Sequence, residues 1–166
     1  MKQWFVSMKS ADFNAIAARY NISPMLARIM RNRDIIEDKD IRMYLNCSVS
    51  DMHDPHLLKD MDKAAAMLKD TIEKGGRIFI IGDYDIDGVC ASYILLKGIR
   101  NAGGSASVRL PERMTDGYGM NRGMVDEALN QDAALIITCD NGISAYDEIK
   151  YAGDNGLKVI VTDHHE

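Results

Sequence analysis

The spacing of hydrophobic residues changes at Gly75-Gly76, which divides the chain into a helical part and a part of alternating strands and helices. Before this point apolar residues recur every three or four positions, as on one face of an amphipathic helix. Phe13, Ile16 and Ala17 form one such set, and a polar residue that can cap a helix precedes it. The predicted helices begin at Ser10 and at Ser23-Pro24, and two more span residues 39–45 and 59–74, with a turn at Asp54-Pro55 between them.

After Gly76, short runs of β-branched and aliphatic residues alternate with amphipathic stretches. The runs IFII, LIIT and VIVT are typical of strands buried on both faces of a parallel sheet. We predict strands over 77–82, 106–110, 134–139 and 157–162, and helices over 88–102, 122–130 and 144–155. Strand–helix alternation favours an open α/β architecture. The predicted organisation is a small helical lead-in, residues 1–76, followed by an open, mostly parallel sheet with flanking helices, residues 77–166.

The composition indicates a protein with a hydrophobic core and without a membrane span, signal peptide or lipid anchor, so we expect a cytoplasmic protein that does not contact membranes. The three cysteines, Cys47, Cys90 and Cys139, are far apart, which predicts buried free thiols rather than a zinc site. The net charge of −5 is uneven, because residues 1–76 carry 12 basic and 11 acidic residues and residues 77–166 carry 8 basic and 14 acidic ones. Five of those 14 acidic residues follow predicted strands.

Three of the predicted strands end in segments rich in carboxylates. The first is followed by GDYDIDG, in which three aspartates lie within five residues. Their mutual repulsion and desolvation would be costly unless a cation neutralises them. LIITCDNG and KVIVTDHHE repeat the arrangement, and the carboxyl ends of parallel strands are where ligands bind in open α/β sheets. The sequence therefore predicts one polymetal site, with candidate ligands Asp83, Asp85, Asp87, Asp140, His164 and His165.

Other interpretations of the first segment fit less well. DYDIDG matches the opening of an EF-hand calcium loop, but position twelve is Ile94 instead of a bidentate glutamate, and a strand precedes the loop. Asp85 to Val89 also fits the D-x-D-x-[TV] pattern of haloacid-dehalogenase-type phosphatases, in which the first aspartate attacks a phosphoryl group. That scheme has no use for consecutive histidines after a later strand. A structural turn with solvated aspartates accounts for one segment but not for three.

Carboxylate oxygens combined with imidazole favour manganese or magnesium over metals that prefer thiolates. One carboxylate held between two such ions is an arrangement that phosphodiester hydrolysis can use. The ions orient and deprotonate a water molecule while they screen the charge of the phosphate. The ligand set therefore indicates a metal-dependent phosphodiesterase.

Asp163-His164-His165 is the triplet that names the DHH phosphoesterase superfamily, and the surrounding segments resemble one branch of it, the RecJ single-strand-specific exonucleases. ISPMLARIMRNR and DPHLLKDMDKAAAML in the helical part are similar to that branch too, so the resemblance covers nearly the whole chain. The matching signature segments are GDYDIDGVCAS (82–92), LPERMTDGYGMN (110–121), TCDNGIS (138–144) and TDHHE (162–166).

The resemblance implies hydrolysis of single-stranded DNA from the 5′ end, with release of mononucleotides, in DNA repair and recombination. It implies two ions, Mn²⁺ or Mg²⁺, and, besides the DNA, a single-strand-binding protein and a helicase as partners. Asp163 is expected to orient a histidine, and Asn141 to shape the turn after the third strand. By motif, the catalytic metal-site positions are Asp85, Asp87, Asp140, His164 and His165, with Asp83 as the first acid of the loop and a further ligand.

The loop LPERMTDGYGMN predicts contacts with substrate. Arg113 and Arg122 flank a glycine-rich turn that contains Tyr118, so the tyrosine could stack on a base while arginine holds a phosphate. The alternative is a loop braced by an Arg–Asp pair that involves Asp116.

Two further functions remain open, a DHH phosphodiesterase of short oligonucleotides or cyclic dinucleotides and a non-catalytic replication scaffold. The helical lead-in and the ERMTDGYGMN loop favour the exonuclease, and the presence of every expected ligand in this span disfavours the scaffold. The family continues after the triplet with another metal-binding aspartate, a linker helix and a second domain that clamps DNA, whereas this sequence stops at Glu166. We therefore expect residues 1–166 alone to have an incomplete metal site and little or no nuclease activity.

Overall fold

The computed structural model describes residue 3 and residues 8–165. Contacts between residues divide the chain into two compact units, Met1–Leu57 and Leu58–Glu166. Among the helices of the described residues, none combines the length and the apolar composition needed to cross a bilayer.

The first unit is helical, as the spacing of its apolar residues predicts. The interior of this unit contains Ala17, Ala27, Met30 and Ile41, all of which are buried. Its elements are α1 (Phe13–Tyr20), α2 (Pro24–Asn32), α3 (Asp38–Leu45) and two 3₁₀ turns at Val49–Asp51 and Pro55–Leu57.

The predicted cap of α2 is confirmed, whereas the predicted cap of α1 is wrong. The Oγ of Ser23 accepts a hydrogen bond from the Leu26 amide at 3.2 Å, directly before Pro24 begins the helix. Helix α1 is capped by Asp12 rather than by Ser10, and the Asp12 carboxylate accepts from the Ala15 amide at 2.9 Å. Ser10 lies too far ahead of the first turn, because a cap must directly precede it to reach the free amide three positions on.

The second unit is an α/β fold, which confirms the predicted class. Helix α4 (Met61–Glu73) is followed by Gly75 at a φ of 70°, a conformation that glycine adopts without strain. All the strands are parallel, in the order β2-β1-β3-β4. After α4 the elements are β1 (Arg77–Ile81), α5 (Ile86–Asn101), β2 (Ser105–Arg109), α6 (Arg122–Asn130), β3 (Ala133–Cys139), α7 (Tyr146–Asp154) and β4 (Lys158–Thr162).

Residues of β1 and β3 pack on both faces of the sheet. One core cluster contains Phe79 of β1 and Ile136 of β3 together with Val125 of α6. A second cluster contains Ile80 of β1 together with Ile99 of α5. Neighbouring residues of a strand point to opposite faces, so a strand covered by helices on both sides needs an unbroken apolar run. Each large side chain that is fully buried in this way contributes roughly 1.5–3 kcal/mol.

The expectation of buried thiols holds for only one of the three cysteines. Cys139 at the end of β3 is buried, whereas Cys47 and Cys90 are exposed, and all three are free. Cys90 lies on α5, and the half of a helix that faces away from the sheet is open to solvent whatever its sequence.

The carboxyl ends of β1, β3 and β4 meet at one edge of the sheet. Ile81 of β1 is in register with Thr138 of β3, and Cys139 is in register with Thr162 of β4. The segments that follow these strands therefore leave the sheet next to one another. Those segments carry the predicted ligands.

Candidate metal centre

The loop after β1 holds Asp83 in a buried position next to α5. Asp83 is 2% exposed, and the amide of Gly82 before it donates to the carbonyl of Arg109 at 3.1 Å. Asp85 is the N-cap of α5, and its Oδ1 accepts from the Gly88 amide at 2.9 Å. A Cβ on Gly88 would lie 2.6 Å from the Asp83 nitrogen, so only glycine allows the helix to start this close to Asp83.

The turn after β3 places Asp140 in a backbone conformation that is uncommon for residues with a side chain. Its φ is 62°, in the left-handed region that aspartate and asparagine tolerate better than most residues. The residue is 8% exposed, and its amide donates to the carbonyl of Thr162 at 2.9 Å. Backbone conformations of this kind are concentrated at functional sites. The turn holds Asp140 beside the end of β4.

Carboxylates and imidazoles from three separate segments come together in two groups that share Asp140. Asp83, Asp85 and Asp140 form one group, in which a possible ligand atom of each residue lies within 4.8 Å of the others. Asp140, His164 and His165 form the second group by the same measure. A carboxylate common to two ligand groups is the arrangement that two neighbouring divalent cations require.

Asp87 is the predicted ligand that belongs to neither group within the described residues. It is exposed in the first turn of α5, where a negative charge interacts favourably with the helix dipole. Aspartates at alternate positions point to the same side of the backbone only where the chain is extended. Because the backbone becomes helical at Ile86, Asp87 no longer points the same way as Asp85. Its role as a ligand stays a prediction.

Two carboxylate oxygens at the centre, Oδ1 of Asp83 and Oδ1 of Asp140, are buried without a hydrogen-bond donor from any described residue. The Nε2 of His164 lies 2.8 Å from Asp140 Oδ1, but the contact is not aligned as a hydrogen bond. A buried charge without a partner is strongly unfavourable. Potential ligand atoms that lie close together without bonding to each other leave room for a cation between them. A set of carboxylate oxygens and imidazole nitrogens suits Mn²⁺ or Mg²⁺.

Asp163 holds the histidine segment by hydrogen bonds. Its side chain is 2% exposed, and it accepts from the Ile143 amide at 2.9 Å and the His164 amide at 2.8 Å. Its Oδ1 also lies 2.7 Å from Nδ1 of His165. Burial acts to raise the pKa of Asp163, but hydrogen bonds from Ile143, His165 and His164 outweigh it, and the pKa is lowered. The contact with Asp163 raises the pKa of His165. With Nδ1 bound to a carboxylate, Nε2 is the atom left for a metal.

Asn141 joins the ends of the two central strands. It is almost completely buried, and its Nδ2 donates to the carbonyls of Ile81 at 3.2 Å and Cys139 at 2.9 Å. These bonds hold together the strand ends from which the Asp83 and Asp140 segments emerge. Asn141 therefore acts on the shape of the centre through the backbone.

Two of the three predicted substrate residues, Tyr118 and Arg113, lie next to the centre. The Tyr118 hydroxyl is 3.4 Å from Nε2 of His165, and the residue is 59% exposed. Its ring meets the rings of Tyr84 and His165 edge-on, with centroids 6.3 Å and 6.1 Å apart. The Arg113 guanidinium lies over the Tyr84 ring, 5.6 Å from its centroid. An exposed aromatic surface with a cation beside it thus borders the ligands.

Arg122 is in different surroundings from the other two. It is the first residue of α6, and its guanidinium lies over the ring of Tyr151 on α7 at 4.8 Å. Tyr118, in contrast, is influenced by the centre. The pKa of its hydroxyl is raised, first by burial and then by the negative charges of Asp83 and Asp140.

The sequence interpretation missed Tyr84 and Arg109. Tyr84 stands between two ligand positions, and an aromatic residue in an acidic loop was the available signal. The loop brace that involves Asp116 is present, since Asp116 Oδ2 lies 2.7 Å from a guanidinium nitrogen, but the arginine is Arg109 at the end of β2. The signal there was a charged residue ending a strand of small and apolar residues.

The fold and the site define a class of protein, an open parallel α/β domain whose strand ends carry carboxylates and histidines that could hold divalent cations. The family described as DHH family, N-terminal domain, matches residues 77–166. The chain belongs to the DHH family. The resemblance based on the triplet is thereby confirmed, although Glu166, the last residue of TDHHE, lies outside the described residues.

The chain is also similar to RecJ proteins. It is 32% identical over 165 residues to the single-stranded-DNA-specific exonuclease RecJ of Bacillus subtilis strain 168, a match that covers 99% of this chain and 21% of the relative. A RecJ structure in complex with Mn²⁺ from Thermus thermophilus superposes with a TM-score of 0.66 at 27% identity, over 97% of this chain and 22% of the other. An exonuclease RecJ structure bound to manganese superposes with a TM-score of 0.62 at 38% identity, over 66% of this chain and 28% of the other. The chain thus spans between about a fifth and somewhat over a quarter of the length of these relatives.

Proposed function

We propose that this chain belongs to a metal-dependent exonuclease that hydrolyses single-stranded DNA in the 5′-to-3′ direction and releases mononucleotides. The observation that carries the proposal is the position of Asp140, whose carboxylate is common to two groups of potential metal ligands. The similarity to RecJ proteins, which include structures bound to manganese, supports the choice of substrate and of metal. In this proposal residues 77–166 contain the catalytic part, and residues 1–76 are a helical lead-in.

The residues around Asp140 would hold two divalent cations, Mn²⁺ or Mg²⁺. Asp83, Asp85 and Asp140 would bind one, and Asp140, His164 and His165 the other, with Asp87 as an additional ligand from α5. When bound, these ions supply an activated water and neutralise the charge of the phosphate. Asp163 keeps the His165 ring in one orientation by accepting from Nδ1.

The aromatic surface beside the centre accounts for the preference for a single strand. A base can stack on the exposed ring of Tyr118 only when it is unpaired, and one such stack contributes about 1–3 kcal/mol. Arg113, already over the Tyr84 ring, can turn its guanidinium to a phosphate oxygen. Arg122, at the start of α6, would contact the DNA strand farther from the centre. These three residues form the proposed substrate side of the site.

The proposed cellular role is DNA repair and recombination in the cytoplasm, in company with a single-strand-binding protein and a helicase. This role follows from the proposed substrate, since single strands with free ends arise when a duplex is unwound.

The function can be tested on the full-length protein that carries this sequence. A long 5′-phosphorylated single strand, labelled at either end, should be shortened from its 5′ end in the presence of Mn²⁺ and remain intact with EDTA. Asp140→Asn should abolish the activity, whereas Asp154→Asn, at an exposed α7 residue paired with Lys150, should leave it unchanged. A dinucleotide assayed in parallel separates the alternatives. Preferential cleavage of the dinucleotide indicates the short-oligonucleotide phosphodiesterase, and undiminished activity in Asp140→Asn contradicts the proposed site.

A further inference from the structure

Arg109 lies at a junction between the metal centre and the loop of residues 111–121. It is the last residue of β2, and its carbonyl accepts from the Gly82 amide, directly before Asp83, at 3.1 Å. Its guanidinium contacts two other segments, the loop and α6. Nη2 donates to Asp116 Oδ2 in the loop at 2.7 Å, and Nε donates to Glu127 Oε2 on α6 at 3.1 Å. One side chain thus links the sheet edge, the loop and a helix.

Asp116 is hydrogen-bonded to residues at both ends of the loop. Its Oδ2 also accepts from the Glu112 amide at 2.8 Å, and its own amide donates to the Glu112 carbonyl at 2.8 Å. Its carbonyl accepts from Nδ2 of Asn121, the N-cap of α6, at 3.3 Å. The side chains of Arg109 and Asp116 are 28% and 21% exposed, so water screens this pair less than it screens a surface ion pair.

This restraint helps to fix Tyr118, because glycines flank it on both sides. It stands between Gly117 and Gly119, which have φ values of 79° and 75°. Glycines that adopt the left-handed region allow many alternative backbone paths, and fixing one path costs entropy. The contact of Tyr118 with the centre is a 3.4 Å approach to His165 Nε2 and two edge-on ring contacts, each of which is weak. The anchored residues nearest to it in the chain are Asp116 on one side and Met120, which is buried in the core, on the other.

We propose that Arg109 is a positioning residue that holds the loop carrying Arg113 and Tyr118 over the metal centre. The inference rests on the proposed function and extends it to a residue that touches neither metal nor DNA. The guanidinium contacts the Leu110 carbonyl, Asp116 and Glu127, none of which is a ligand of the centre. Arg109 therefore acts on the binding of the strand, and the chemical step and metal affinity are independent of it. Glu127 directs Nε so that Nη2 stays on Asp116.

The first measurement is steady-state kinetics of the full-length protein on single-stranded DNA. Arg109→Met and Asp116→Asn should each raise KM by about fivefold, the effect of losing one charged hydrogen bond that is partly shielded from water. The kcat and the Mn²⁺ affinity from calorimetry should stay within about twofold, and the double variant should be no worse than either single one, since both remove the same contact. Arg109→Lys keeps the positive charge but cannot make the several hydrogen bonds of a guanidinium, so its KM should lie between those of the unmodified protein and Arg109→Met. The matched control is Arg77→Met, because Arg77 lies at the start of β1 and bonds the Gln131 carbonyl at 3.0 Å.

The second measurement does not require activity. Proteolysis requires local opening of the backbone, so Arg109→Met and Asp116→Asn should speed tryptic cleavage after Arg113 by about fivefold, in step with the lost contact, as followed by mass spectrometry. If thermal unfolding shows that Arg109→Met does not fold correctly, Asp116→Asn and Arg109→Lys take its place; if Asp116→Asn does not fold correctly, Arg109→Lys does. Unchanged KM together with an unchanged rate of cutting overturns the inference, as does a fall of kcat or of Mn²⁺ affinity in place of the rise in KM. If the unmodified protein shows no nuclease activity, the proposed function fails, and the rate of cutting at Arg113 alone still decides the role of Arg109.

Discussion

Gly88 of α5 packs against Asp83 so closely that this candidate ligand and the start of the helix form one unit. A Cβ on Gly88 would lie 2.6 Å from the nitrogen of Asp83 and 2.7 Å from its Cα and Cβ. Contacts of that length with backbone atoms force a displacement. Because Asp83 is buried on the inner side of the loop, any displacement moves its carboxylate relative to Asp140.

We expect Gly88→Ala to weaken Mn²⁺ binding by at least about tenfold and to lower the free energy of unfolding by about 1–3 kcal/mol, as overpacking does. Calorimetric titration with Mn²⁺ and thermal unfolding measure the two effects. Gly98→Ala is the matched control in the same helix, because a Cβ there meets no atom within 4 Å and alanine favours the helix by about 0.5–1 kcal/mol. Wild-type affinity in Gly88→Ala would show that Asp83 is not a ligand.

Asp140→Asn should remove metal binding and, without metal, stabilise the protein. Asparagine tolerates the φ of 62° as aspartate does, so the turn persists, but the buried carboxylate, whose Oδ1 has no aligned donor among the described residues, is gone. We expect a gain of about 1 kcal/mol in EDTA, and no rise of Tm on adding Mn²⁺, because an ion that binds only the native state stabilises it. Thermal unfolding with and without Mn²⁺ tests both parts. A rise of Tm with Mn²⁺ as large as in the unmodified chain would argue against the shared ligand.

Asp163→Asn should weaken Mn²⁺ binding less than loss of a direct ligand does. The single amide oxygen can replace Oδ1, which accepts from the His164 amide, but the NH2 group then faces the Ile143 amide that Oδ2 accepts from, and no negative charge is left for Nδ1 of His165. Loss of such an outer partner costs about 10- to 100-fold in metal affinity. Calorimetric titration of Asp163→Asn and Asp140→Asn side by side provides the comparison. Equal losses in the two variants would place Asp163 among the ligands themselves.

The three cysteines should differ in their reaction with a thiol reagent. Cys47 and Cys90 are exposed, whereas Cys139 is buried, and burial raises the pKa of its thiol, so less of the reactive thiolate is present. In the native chain two thiols should react rapidly and the third only after addition of denaturant. Peptide mapping of the modified protein identifies which one is protected, and rapid modification of Cys139 in the native chain would contradict its place in the core.

The elements and the location of the site could be predicted from local patterns. Unbroken apolar runs such as Ile78–Ile81 predict strands covered on both faces, and aspartates directly after such runs predict a site at the carboxyl edge. The cap of α1 was misplaced at Ser10, because both Ser10 and Asp12 are good caps and only the actual start of the helix distinguishes them. Likewise Asp87 looked equivalent to Asp85 until the backbone turned helical between them.

The sequence by itself determined the alternation of strands and helices, the class of ligand and the family, because each depends on residues that are close neighbours in the chain. Only the tertiary structure decided that Asp140 serves both ligand groups, that Arg109 rather than a loop arginine pairs with Asp116, and that Arg122 lies against Tyr151. The Asp140 groups and the contact of Arg122 with Tyr151 join segments distant in sequence, whereas Arg109 and Asp116 are seven residues apart and lie on either side of the end of β2. Their partners are set by the order and register of the strands, which place the chain ends of β1, β2, β3 and β4 at common positions.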